Sequence, residues 1–301
     1  MADIKLRFHK DMLVLSAPLD YALARQGVSM SNDYEFTSLL EPEMAQDALR
    51  LEALAGAQCL VTATEGICSA RLAHARMEHS ASDIAAAAIA SAQANSPQHI
   101  ICEIGPCGLP LDPSSKGLLK QSQDQYEAAA RAFGTEGFDA LLLNGMRSTA
   151  DMRCAIQGVR KVYDGPLFAS LDIDKLDGVP LEEAVEAMLG EADTHVRTDV
   201  IGFRSAAAPD MLCDTVHTMA NLTDAPILVQ ISVKAPTEAE KKRASLGGPI
   251  AHNPYPLPDT LADTALALRK AGAQFLRACG EATPAYTGAL CIATMGCDCI
   301  R

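Results

Sequence analysis

Three segments of the chain share one pattern of apolar and polar positions. They read LAGAQCLVTATEG (residues 54–66), GTEGFDALLLNGM (134–146) and KAGAQFLRACGE (270–281). In each, a glycine (Gly56, Gly137, Gly272) precedes two residues and then an apolar run. A glycine there suits the position just past a helix, where the left-handed conformation carries no Cβ penalty. The apolar run suits a parallel strand covered on both faces. Five more runs fit the same role: MLVLS near Met12, HIICEI near His99, PLFASLDID near Pro166, VIGFRS near Val200 and PILVQISV near Pro226.

Helical periods separate these runs. QYEAAARAF sets Tyr126, Ala129, Ala130 and Phe133 on one face, and DMLCDTVHTM does the same with Leu212, Thr215, Val216 and Met219. STADMRCAI opens on a Ser/Thr cap, and TPAYTGAL places Pro284 just inside a helix start after Thr283. Eight strands alternating with helices predict an α/β fold, a single (β/α)8 TIM barrel. A doubly wound open sheet is the rival, but no G-x-G-x-x-G follows the first strand and no P-loop occurs. No linker or low-complexity tract divides the chain, so one barrel domain is expected over residues 1–301. A long loop at about 234–256 would follow the seventh strand and lie over the mouth, and the chain would end in a short cysteine-containing tail.

Composition narrows the class of partner. A net charge of −13 argues against nucleic acid and against an anionic membrane, both of which require a basic surface. No apolar run reaches the roughly 20 residues that a spanning helix requires, and the N-terminus lacks a signal-peptide pattern, so a cytoplasmic protein with a small-molecule substrate is expected. The 10 cysteines include no C-x-x-C and read as reduced thiols, mostly small buried hydrophobes.

In a barrel the working residues stand at the C-terminal ends of strands. That rule selects Ser16 and Asp20, then Thr62, Thr64 and Glu65, then Glu103 and Cys107. Asn144, Asp172, Asp174, Arg204, Ser205, Arg277 and Cys279 follow. Glu65 is a candidate general base or cation ligand. Asp172 and Asp174 alternate on strand five and could share a cation, although a capping or loop role is the plainer reading. Among the histidines, His252 in the long loop, with Asn253 and Tyr255, is the candidate for substrate contact. No Ser-His-Asp order or G-x-S-x-G elbow is present.

Over about residues 10–295 the order of landmarks resembles the homocysteine S-methyltransferase family, the barrel also used as the homocysteine domain of cobalamin-dependent methionine synthase. The matching text is SAPLDYALARQG (16–27), TATEGICSARL (62–72), EIGPCG with Gly105 and Pro106, GFRS (202–205) and RACGEATP (277–284). The resemblance implies methyl transfer to a thiol or related acceptor from a small-molecule or corrinoid-bound donor, with a corrinoid protein as a further partner. It also implies zinc, held in the family by three cysteines, one from strand six and two from strand eight. Here those positions carry Ser205, Cys279 and Gly280. Cys279 is the ligand that remains, and Cys297 and Cys299 of the tail MGCDCIR are candidates to complete a set, with Cys107 as another. Zinc strips a thiol of its proton and leaves a fourth position for substrate, so a lone thiolate would not reproduce the family's site. The family's acid at the end of strand four, which helps hold the homocysteine amine, falls at Asn144, and its opening Asp falls at Ser16. The expected substrate-binding set is Ser16, Thr62, Glu65, Asn144 and Ser205. Two alternatives stay open: a metal-free enzyme with a different acceptor, and a non-catalytic binding subunit of a methyltransferase complex.

Overall fold

The structure is a computed structural model and describes residues 3–29, 34–176, 178–190, 195–246 and 253–301. Eight parallel strands close into a barrel in chain order. They are β1 (Leu13–Leu15), β2 (Cys59–Val61), β3 (His99–Ile104), β4 (Ala140–Met146), β5 (Leu167–Asp172), β6 (Val200–Ser205), β7 (Ile227–Val233) and β8 (Phe275–Gly280). β8 pairs back onto β1 with Leu13 opposite Phe275. Each strand lies inside one of the apolar runs, and the fold is the expected (β/α)8 barrel.

The helices follow the periodicity that predicts them. The helix Lys116–Ala132 buries Tyr126, Ala129 and Ala130, and the helix Pro209–Leu222 buries Leu212, Val216 and Met219. Ser148 caps the helix Thr149–Val159 by accepting from the Asp151 N–H. Thr283 occupies the N-cap position of the helix Pro284–Thr294 but makes no side-chain cap bond there. Gly272, at φ +113°, ends the helix Asp259–Ala271 as expected. Gly137 does not end a helix: Gly134, at φ +68°, comes first and the helix has already stopped at Ala132. The stretch 234–256 is not wholly irregular, because it holds the helix Glu238–Ser245. That helix is polar all round, so it leaves no apolar period to read. His252 lies outside the described residues. Among the described residues, no helix is long and apolar enough to cross a membrane.

Strand alternation sends Leu13, Leu15, Cys59, Val61, Ile101, Leu142, Phe168, Val200, Leu228 and Phe275 into the lower half of the barrel. The N-terminal turn Ile4–Arg7 plugs that end with the fully buried Ile4, and Phe8 follows it. Phe8, Phe168 and Phe275 meet edge to face, with centroids 5.0–6.1 Å apart, a geometry that aromatic quadrupoles favour. The C-terminal tail closes the same end. The Met12 N–H donates to Cys297 O at 3.1 Å, and the Cys299 N–H donates to Lys10 O at 2.6 Å. The apolar plug leaves only the opposite, C-terminal end of the strands for chemistry.

β6 and β7 approach each other closely at Gly202, where a Cβ would lie 2.5 Å from Leu228 O and 2.7 Å from Leu228 Cβ. The alanine variant must therefore push two central strands apart. Gly202→Ala is expected to lose about 1–3 kcal/mol of stability, read as a lowered urea midpoint. An unchanged midpoint would show that the strands part freely.

Candidate active site

Above the apolar layer the next inward residues are polar. They are Glu103 on β3, Asn144 on β4, Ser170 on β5, Gln230 on β7 and Arg277 on β8, and none is more than 5% exposed. Ser170 stands in register with Gly202 on β6, which adds no side chain. The Arg277 guanidinium is the hub. It pairs with Glu103 Oε2 at 3.0 Å, donates through Nε to Ser16 O at 2.9 Å, and donates through Nη1 to Gln230 Oε1 at 3.2 Å. Gln230 Nε2 donates to Asn144 Oδ1 at 2.6 Å and to Ser170 Oγ at 2.7 Å. Asn144 Nδ2 closes the ring by donating to Glu103 Oε1. Burying a cation and an anion is costly unless each is paired and hydrogen-bonded, and both conditions hold here.

Two residues further along the strands, the alternation brings up Asp172, Arg204, Ser232 and Cys279. The connections after β1 and β2 add Asp20 at the start of the helix Asp20–Arg25, Tyr34 in the short helix Tyr34–Phe36, and Glu65. These side chains form the mouth. Burial raises the Asp20 carboxyl, against the hydrogen bond from Tyr21 N, and the nearby Glu103 carboxylate raises it further. Burial and Glu103 likewise raise Glu65, although Arg71 pairs with it at 3.6 Å. Arg71 also holds Glu35, at 3.3 Å. Burial raises Asp172, against the pull of Arg204. Burial also pushes the Cys279 thiol up, against the opposing pull of Arg204 and Arg277. Tyr34, 7% exposed, is raised by burial and by the same carboxylates.

The expected substrate-binding residues separate into three groups. Glu65 stands on the rim. Asn144 lies one level down, within the buried network. The hydroxyls of Ser16, Thr62 and Ser205 are engaged by nearby backbone and, for Thr62 and Ser205, by a neighbouring side chain. Ser16 Oγ accepts from Val61 N at 2.9 Å. Thr62 Oγ1 meets Thr64 Oγ1 at 2.7 Å and accepts from Glu103 N at 3.2 Å. Ser205 Oγ donates to Asp174 Oδ1 at 2.6 Å and accepts from Ala207 N at 3.1 Å. Asp174 has left the strand for the turn Ile173–Lys175, so it does not share a cation site with Asp172. Cys107 packs outside the sheet, its thiol 3.9 Å from Ser122 Oγ. Cys297 and Cys299 lie at the plugged end of the barrel and do not reach Cys279. Strand-end reasoning missed Ser170, Gln230, Ser232 and Tyr34. Gln230 and Ser232 carried a signal, since two polar residues at period two inside PILVQISV mark an inward face. Tyr34 carried none.

A sequence profile of the homocysteine S-methyltransferase family matches residues 14–294. The chain belongs to that family. No curated protein sequence matches it. Among solved structures it is similar to the homocysteine methyltransferase MmuM of Escherichia coli. The metallated form has 16% identity and a TM-score of 0.72, over 93% of this chain and 95% of that one. The oxidized form has 17% identity and a TM-score of 0.70 over the same shares. An exo-beta-1,4-mannosidase from an Opitutaceae bacterium shares the barrel at 10% identity and a TM-score of 0.59, over 92% of this chain and 54% of that one. At these identities the structural matches speak for the fold, while the profile speaks for the family.

The zinc of the homocysteine S-methyltransferase family does not fit the residues present. Ser205 is committed to Asp174 and Ala207. Gly280 has φ +73°, and a Cβ there would lie 2.6 Å from Val233 O, so the backbone itself leaves no place for a second thiolate. Arg204 sets a guanidinium charge near Cys279. Among the described residues, no group of three or more His, Cys, Asp or Glu is placed to hold a metal ion.

The ion pair makes a sharp test of the buried network. Glu103→Gln leaves the Arg277 cation without a counter-charge and is expected to lose about 3–5 kcal/mol, with most of that regained when Arg277→Met is added. Urea unfolding of the single and double variants reads both values. A single variant no weaker than the double would deny the pair its central place.

Proposed function

We propose that this protein transfers a methyl group to a small nucleophile, a thiol or related acceptor, bound at the C-terminal mouth without the family's zinc. One observation carries the reading: polar and charged groups from β5, β6, β7, β8 and two loops converge over a sealed polar floor, where barrel enzymes hold their substrates. Family membership supplies the reaction class. The donor is a sulfonium or a corrinoid-bound methyl group. The acceptor's sulfur lone pair forms the new bond to the methyl carbon. The donor–methyl bond breaks, and its electron pair stays on the donor. The acceptor's proton passes to a carboxylate.

Without a metal, a thiol with an ordinary pKa near 8.5 stays mostly protonated at neutral pH, so a base is required. Asp20 suits that role. It is half-buried, burial raises its carboxyl above the ordinary value, and among the described residues no cation is paired with it. Glu65 is held by Arg71 and is better placed to orient a polar group of the substrate.

The test is mass-spectrometric detection of methylated product from a panel of thiols, with a methyl sulfonium donor and with methylcobalamin. Product is expected, it should persist after dialysis against a chelator, and Asp20→Asn should lower kcat by roughly 100-fold or more. No product from any pair would leave the mouth as a binding site and favour the binding-subunit alternative. Product lost with the chelator would restore a metal to the reaction.

A further inference from the structure

Arg204 stands apart from every other cation of the barrel interior. Its place in the alternation of β6, two residues beyond Gly202, turns it inward. The titratable groups near it come from separate elements: Cys279 on β8, Asp172 on β5, Glu65 in the loop after β2 and Asp20 at the start of the helix after β1. A side chain within reach of all four faces the barrel axis. Its register neighbours are Asp172 on one side and Gln230 on the other. Gln230 is fully committed to Arg277, Asn144 and Ser170. Asp172 stays outside ion-pair distance of the guanidinium. Among the described residues, the Arg204 side chain makes no hydrogen bond and no ion pair. Arg277, one level below, has its guanidinium answered by Glu103, Gln230 and Ser16.

A half-buried guanidinium with its planar fork of donors unused matches one kind of group well, an oxyanion that accepts two parallel N–H bonds. The surroundings choose among oxyanions. Asp20, Glu65 and Asp172 rim the same mouth, so a dianionic phosphate would meet more repulsion than a monoanionic carboxylate. Burial keeps those three carboxyls easier to protonate than usual, so they only partly cancel the fixed charge of Arg204.

We infer that Arg204 anchors a carboxylate of the substrate, so that the acceptor is a thiol acid recognised through its carboxylate. This rests on the proposed reading of the mouth as the acceptor site. It requires no ammonium group on the acceptor, which agrees with the commitment of Asn144 to the buried network. With the carboxylate held at β6, the remainder of the acceptor extends across the mouth toward Asp20 and Glu65.

Binding in the absence of any methyl donor tests the inference separately from methyl transfer. The probes are 3-mercaptopropionate, its methyl ester and cysteamine, titrated calorimetrically into the reduced protein. The wild type is expected to bind the acid about 10- to 100-fold more tightly than the ester. Arg204→Gln should erase that preference, and Arg204→Lys should keep part of it, with the unfolding midpoint of each variant confirming that it is folded. Equal binding of acid and ester, no binding of the acid, or a preference that survives in Arg204→Gln would overturn the assignment. Tightest binding of cysteamine would overturn it in favour of the acidic rim. If the acid is preferred yet no methyl is ever transferred, the anchor stands and the methyltransferase reading falls.

Discussion

A guanidinium buried at the centre of a barrel has to be answered from several sides at once, and Arg277 is. Its charge is met by Glu103 from β3, its Nε by the carbonyl of Ser16 just past β1 and its remaining fork by Gln230 from β7. Gln230 in turn reaches Asn144 on β4 and Ser170 on β5. Side chains from five of the eight strands, with the carbonyl just past β1, therefore form one hydrogen-bonded layer. Each partner is acceptable in the interior only because the others are present. The layer also fixes the height at which chemistry begins: below it the barrel is filled with Leu, Ile, Val and Phe, and above it the side chains are no longer fully committed.

The rim takes its electrostatic character from burial and from that floor. Burial first, and then the nearby Glu103, raises Asp20, Glu65 and Tyr34, and burial raises Asp172, so the carboxyls of the mouth are more basic than surface acids. Where the family places cysteine ligands for a divalent metal, this chain has a staple, a bare glycine and one thiol, with a fixed cation beside them. Positive charge is still present at the place where an acceptor would bind. It is now carried by a side chain on β6, whose reach and planarity select a different partner from the one a spherical ion selects.

Much of the architecture was legible in the sequence, because apolar runs of strand length and helical periods are long-range regularities that a local misreading does not erase. All eight strands fall where the runs put them, and Gly272 ends its helix as expected. Gly137 was misassigned because a second glycine, Gly134, three residues earlier, had already broken the helix. The site was legible only in part. Strand-end positions did pick out Asp20, Glu65, Asp172, Arg204, Arg277 and Cys279. They did not distinguish side chains that face the axis from neighbours one residue away that face the backbone or the helices. Ser16, Thr62 and Ser205 belong to the second kind, and a one-residue step along a strand reverses the face. The Glu103–Arg277 pairing joins residues 174 positions apart and leaves no local trace.

Gly280 sets a limit on what substitution alone can do to this barrel. Its φ of +73° and the 2.6 Å that would separate a Cβ from Val233 O mean that a cysteine placed there meets main chain rather than a yielding side chain. Ser205 is a structural tie to Asp174. Cysteine substitutions at Ser205 and Gly280 therefore do not by themselves supply a three-thiolate site, because the main chain at the end of β8 would have to be rebuilt first. The shape of the backbone, more than the choice of side chains, keeps this mouth what it is.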